Sequence, residues 1–232
     1  MSTILEKVQD IDYLPIFPLP LVLLPNEMLP LHIFEPRYRE MLEDIGGKNG
    51  LFGISLFEPE GDFEDKPAKG SIGCIAEIRE VQQAEEGRYN ILTIGLMRYE
   101  IIGYIDMETP YAMASIHLVQ DDADYPEILN EVADEAYELF SRVAKAAFKM
   151  SGNPGPMPEI DRSDPEALSF LIAAAFNLSN QMKYEMLTMT STRERLEKLI
   201  DILQQTVEQM EASAEIGQVS KTNGHSKKKL DL

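Results

Sequence analysis

The spacing of apolar residues changes near residue 120 of this 232-residue chain, and that change limits the fold more than any other feature. Before it, Ile, Leu, Phe and Tyr come in short runs separated by Gly and Pro, the punctuation of strands. After it, apolar residues recur at three and four, the spacing of amphipathic helices. The expectation is an α+β chain in three parts. Residues 1–120 form a β subdomain with one short helix, residues 121–212 form a helical bundle, and residues 213–232 form a polar tail expected to be disordered.

Strands are expected near 13–18, 28–34, 51–57, 71–81, 88–95, 97–106 and 111–119. In the fourth, Ile72, Cys74, Ala76 and Ile78 share one face, so Cys74 reads as a small core residue rather than a nucleophile. Gln83-Ala84-Glu85-Glu86-Gly87 reads as a hairpin loop, and Gly95 within a long apolar run predicts a bulge or a tight bend. Many short strands with sharp bends suggest a small, curled, mixed barrel.

Pro36 to Ile45, closed by Gly46-Gly47, has the proline-first, glycine-last form of a short helix. A long helix is expected from Pro126 to Met150. Others start near Asp164-Pro165, at Asn180 and after Ser191. Ser163 with Glu166, and Ser191 with Glu194, have capping-box spacing, with Asp164 a rival cap for the former. Glu194 and Lys198 are placed to pair along a helix. Pro15, Pro18 and Pro30 cannot donate to a ladder, so they predict edge or irregular strands beside one another. Such an edge could accept an extended peptide, or serve only to block aggregation.

Composition excludes several partners. A net charge of -19 repels phosphate backbones and anionic lipids, so neither nucleic acid nor a membrane surface is expected as a partner. One cysteine allows no intrachain disulfide, and the N-terminus lacks the basic-then-apolar order of a signal peptide. A cytoplasmic protein is the expectation. No phosphate loop is present, since Gly47-Lys48-Asn49 lacks the first glycine and the Ser or Thr, and neither H-E-x-x-H nor G-x-S-x-G occurs. His32 and His117 pair with Cys74 by residue type alone. The loop from Glu58 to Asp65 is acidic but lacks EF-hand spacing. No cofactor, metal or catalytic residue is assigned.

The stretch from Leu14-Pro15-Ile16-Phe17-Pro18 through Leu29-Pro30-Leu31-His32-Ile33-Phe34-Glu35-Pro36-Arg37-Tyr38 resembles the opening of the Lon protease N-terminal domain. Asp164-Pro165-Glu166-Ala167-Leu168 and Arg193-Glu194-Arg195-Leu196 resemble its closing helices, so the likeness covers roughly residues 12–212. It implies a PUA-like mixed β-barrel followed by a helical bundle. It also implies a free-standing, non-catalytic protein-binding module without ATPase or peptidase. Its expected partners are unfolded or partly folded proteins, and a protease or chaperone acting in trans. The residues that carry the motif are the candidate binding residues: Pro15, Phe17, Pro18, Pro30, His32, Phe34, Glu35, Arg37 and Tyr38. For Glu35 and Arg37 the favoured reading is a pin for the strand–helix corner, by hydrogen bonds or an ion pair. A small-molecule-binding or hydrolytic enzyme is the alternative, and an RNA-binding PUA-like protein is a third reading that the charge opposes. The oligomeric state stays open.

Overall fold

A computed structural model describes residues 2–58, 66–151, 155–157, 160 and 162–223. Its strands are β1 (Tyr13–Leu19), β2 (Met28–Ile33), β3 (Leu51–Leu56), β4 (Ile72–Gln83), β5 (Tyr89–Ile105) and β6 (Ala112–Val119). Its helices are α1 (Ser2–Val8), α2 (Pro36–Gly46), α3 (Pro126–Met150), α4 (Pro165–Ala175), α5 (Asn180–Thr188) and α6 (Thr192–Asn223). Strands therefore precede residue 120 and the long helices follow it, so the architecture is α+β. The acidic loop after Glu58 lies almost wholly outside the described residues.

The strand order is β2-β5-β4-β3-β1-β6, and β6 also pairs with β5. That last ladder returns the sheet to β5 and closes β5, β4, β3, β1 and β6 into a ring, with β2 appended outside it. β1 and β3 run parallel and the other pairs antiparallel, so the ring is mixed as the sequence predicts. Closure removes much of the strand edge that would otherwise template aggregation and leaves the outer edge of β2.

The runs expected at 88–95 and 97–106 are one continuous strand, β5. Its bend is the bulge that Gly95 predicts: Ala76 pairs with Gly95 and Ile75 with Met97, leaving Leu96 between them. A side chain at Gly95 would stand 2.2 Å from the Leu24 carbonyl oxygen, so the close approach of that loop requires glycine. Two further shifts bend the ring, between Ile78 and Glu80 in β4 and between Ile101 and Gly103 in β5.

Each motif proline sits where its strand is paired on one side. Pro15 faces Met113 of β6, Pro18 faces Ser55 of β3, and Pro30 faces Leu92 of β5. The expectation that these strands lie beside one another is corrected. β1 pairs with β3 and β6, whereas β2 pairs with β5, because the prolines limit pairing without choosing the partner.

Alternation along the strands feeds two cores. Leu14, Ile16, Ile75, Tyr99, Ile101 and Ile116 fill the barrel interior. The Tyr99 hydroxyl lies 2.7 Å from the Ser55 hydroxyl. A side chain at either Gly53 or Gly73 would occupy the space its ring fills. α1, which the sequence reading does not anticipate, adds Val8 to this interior and packs Ile4 against it. The opposite strand faces, with Cys74, Ala76 and Ile91, join α2 and the later helices in the larger core.

Asp164 rather than Ser163 caps α4, its carboxylate accepting from the Ala167 amide at 3.1 Å. Ser191 accepts from the Glu194 amide at 3.2 Å, as the second capping box predicts. The expected Glu194–Lys198 pair is corrected: Lys198 pairs with Glu185 of α5, a tertiary partner, and Arg193 pairs with Glu197 at 3.9 Å. α6 also corrects the expected tail. It stays helical through Asn223, past Ser213, because Glu211-Ala212-Ser213-Ala214-Glu215 are mostly good helix formers without an apolar stripe. Lys227-Lys228-Lys229 lie outside the described residues.

Candidate functional site

The structure divides the motif into an inner and an outer set. Pro15 and Phe17 are buried in β1, and Tyr38 is buried in the first turn of α2. The rings of Phe17 and Tyr38 lie 4.2 Å apart, and Phe52 of β3 is 6.2 Å from Phe17. These three rings fasten α2 to the barrel. Burial pushes the Tyr38 hydroxyl above its usual range, with Arg37 opposing and Glu35 adding to the effect.

The outer set runs along β2 and over the corner into α2. Pro30, His32, Phe34 and Arg37 are exposed; Phe34, just past the end of β2, keeps 59% of its surface in water and Met28, at the strand's start, 54%. The His32 ring stacks on Phe34 at 6.1 Å, and its Nδ1 is 2.7 Å from the Asn90 side-chain oxygen. Glu35 and Arg37 form an ion pair at 2.8 Å, and the guanidinium lies 4.7 Å over the Tyr38 ring. The Glu35 side chain makes no capping bond, so the pair braces the corner from outside rather than satisfying helix amides. Behind the corner, Pro18, Arg37 and Tyr38 share the lining of a 360 Å³ cavity with Tyr104, Met107 and Tyr111. Among the described residues no strand pairs with the outer edge of β2. This edge therefore offers a row of backbone donors and acceptors next to exposed apolar side chains.

A second centre, absent from the sequence reading, joins strands to helices. Arg98 of β5 and Arg195 of α6 are 1% and 0% exposed, and both pair with Asp121, which follows β6. Arg98 also donates to the carbonyls of Leu187 and Met189 at 3.1 and 2.6 Å. Arg195 donates to the Ser169 hydroxyl at 2.7 Å and to the Met189 carbonyl at 2.8 Å. Thr192 donates to Asp121 as well, and both guanidiniums face the Phe170 ring, at 5.4 and 4.1 Å. Burial pulls the Arg98 pKa down while Asp121 holds it up. The available signal was an arginine inside the apolar run Leu96-Met97-Arg98-Tyr99, which in a half-buried strand passes for an outward-facing residue.

Beside this centre opens a cavity of about 340 Å³, bounded by α1, β5 and the start of α4. Glu166 lines it, and burial raises its carboxyl pKa, with Asp121 adding and Arg98 and Arg195 opposing. No nucleophile–base arrangement is formed from the residue types noted in the sequence. Cys74 is fully buried with its thiol pKa pushed up by burial, whereas His32 and His117 lie exposed on other strands. Among the described residues no group of three or more His, Cys, Asp or Glu is placed to hold a metal ion, and no helix is long and apolar enough to cross a membrane.

Three kinds of likeness converge on one family. The model of the ATP-dependent protease La (LON) substrate-binding domain matches residues 13–205. The chain is 26% identical to a Lon protease of Bacillus thuringiensis (strain Al Hakam) over 207 residues, which are 88% of this chain and 26% of that protein. It is 26% identical to a Lon protease of Heliobacterium modesticaldum over 222 residues, 91% of this chain and 26% of that protein. The chain thus spans about a quarter of the length of these relatives. A Lon N-terminal domain protein from Xanthomonas campestris superposes with a TM-score of 0.57 at 22% identity, covering 82% of this chain and 98% of that one. The N-terminal domain of Mycobacterium avium complex Lon protease gives 0.61 at 19% identity, covering 83% and 98%. These two share the fold. The chain belongs to the ATP-dependent protease La (LON) substrate-binding domain family.

Proposed function

We propose that this chain is a non-catalytic recognition module that binds exposed segments of unfolded or partly folded proteins and presents them to a protease or chaperone acting in trans. The observation that carries the reading is the outer edge of β2, which has no strand partner among the described residues and is flanked by exposed Met28, Pro30, His32 and Phe34. Backbone pairing along such an edge gives affinity with little sequence preference, and the apolar side chains favour segments that a folded protein would hide. Membership of a substrate-binding domain family supports the same reading. A cytoplasmic setting suits the single thiol of Cys74.

The test is binding to a reduced and alkylated protein that cannot refold, followed by fluorescence anisotropy. The wild-type chain is expected to bind it more tightly than a size-matched acidic control does. Phe34→Asp with Met28→Asp should weaken binding by about tenfold while leaving the unfolding midpoint in place. Affinity equal to the control, or unaffected by the double substitution, would overturn the proposal. Capture of a protease or chaperone on the wild-type chain tests the presentation step separately.

A further inference from the structure

The cavity beside Arg98 combines apolar walls with two carboxylates free of the arginine cluster, that of Glu166 and that of Asp164, the latter bonded to the Ala167 amide as the cap of α4. Leu5 of α1, Leu96 of β5, Val119 of β6 and Phe170 of α4 supply apolar surface. The Nη groups of Arg98, which also lines the space, are already bonded to Leu187, Met189 and Asp121. Glu166, half-buried in the first turn of α4, differs from them. Among the described residues its carboxylate has neither a hydrogen bond nor an ion-pair contact. A volume of about 340 Å³ falls within the roughly 300–1,000 Å³ usual for small-molecule sites.

We infer that this cavity binds a small amphipathic organic cation, a primary ammonium on an aromatic or aliphatic body, with the ammonium against Glu166 and the body between Leu5, Leu96 and Phe170. A half-buried carboxylate without a partner gains most from a charged donor, because its desolvation has already been incurred in the free protein. The raised Glu166 pKa agrees, since burial outweighs the relief from the two arginines. An anion of the same shape would meet Glu166 in a protein whose net charge is already -19. The site is separate from the β2 edge and does not depend on the recognition proposal.

The probes are 2-phenylethylamine and 3-phenylpropanoate, which share a body and differ in the charged end, titrated into the full chain and followed by amide resonances. The amine should give saturable shifts confined to Leu96–Arg98 and the first turn of α4. Glu166→Gln should weaken it by about tenfold or more, Ala167→Phe should abolish it by filling the space, and the carboxylate should not saturate. No saturation by the amine up to about 10 mM would overturn the assignment. Equal binding of the carboxylate, or unchanged binding by Glu166→Gln, would do so too.

Discussion

Arg98 and Arg195 hold opposite oxygens of one carboxylate, that of Asp121, although they come from a barrel strand and the last helix. Both cations are buried, so each depends on Asp121 for neutralisation. The two guanidiniums also lie against the Phe170 ring and bind the same Met189 carbonyl, which ties α4, the α5–α6 connection and α6 to β5.

Asp121→Ala should therefore be among the most damaging single substitutions in the chain. Removing the shared anion leaves two buried cations facing each other, at a cost of about 3–5 kcal/mol. Urea unfolding measures this. A loss under about 1 kcal/mol would mean that the carbonyls alone hold the arginines.

Glu166 gives the folded protein a pH dependence with a definite sign. Its carboxyl pKa is raised in the folded state, so that state keeps the proton to higher pH than the unfolded chain does. Stability contributed by the protonated form is present near the unfolded glutamate value of about 4.3 and is lost as pH rises through the folded one. Glu166→Gln should be more stable than wild type at neutral pH, with the difference vanishing below about pH 4. Urea midpoints at both pH values check this, and a difference independent of pH contradicts it.

Two glycines should respond in opposite directions to alanine. Gly95→Ala sets a methyl group 2.2 Å from the Leu24 carbonyl oxygen, backbone that is itself bonded to its surroundings. A loss of about 1–3 kcal/mol is expected. Gly46→Ala, at the last position of α2, meets nothing within 4 Å and should gain about 0.5–1 kcal/mol. Thermal unfolding of both variants decides the matter, and similar shifts would refute the packing argument.

The motif should separate into stability and binding. Phe17→Ala removes a buried ring from the contact with Tyr38 and Phe52 and should cost about 3–5 kcal/mol. Phe34→Ala should change stability by no more than about 0.5 kcal/mol, because the ring is mostly in water. Its effect should appear only in binding to unfolded protein. A large stability loss at Phe34 would place it in the structural set.

Local signals explain what was legible. α3 begins at Pro126 and ends at Met150, as its spacing predicts, because the proline start and the apolar stripe are both local. The Gly95 bulge was visible for the same reason. Short strands with sharp bends suggested a barrel, but the pairing that closes it was not legible, since Leu14 gives no sign that it will pair with Ala114. α1 escaped because seven residues without an acidic first turn make a weak helix signal. Arg98 and Arg195 escaped because an isolated sequence does not show which charged residues share a carboxylate. In the motif, Phe17 and Phe34 are the same residue type seventeen positions apart, and what separates them is tertiary: Phe17 is paired inside β1, whereas Phe34 stands just past the end of β2, at the exposed corner before α2.

Ring closure also sets a timetable for synthesis. Leu14 waits for Ala114, one hundred residues later in the chain, before β1 gains its second neighbour. At about 5–20 residues per second, a ribosome takes roughly 5–20 s to supply it. During that interval the nascent β1 can pair with β3 alone, leaving its half from Tyr13 to Pro15 open. A chain of this design passes through a stage with apolar strand surface uncovered before β6 leaves the exit tunnel.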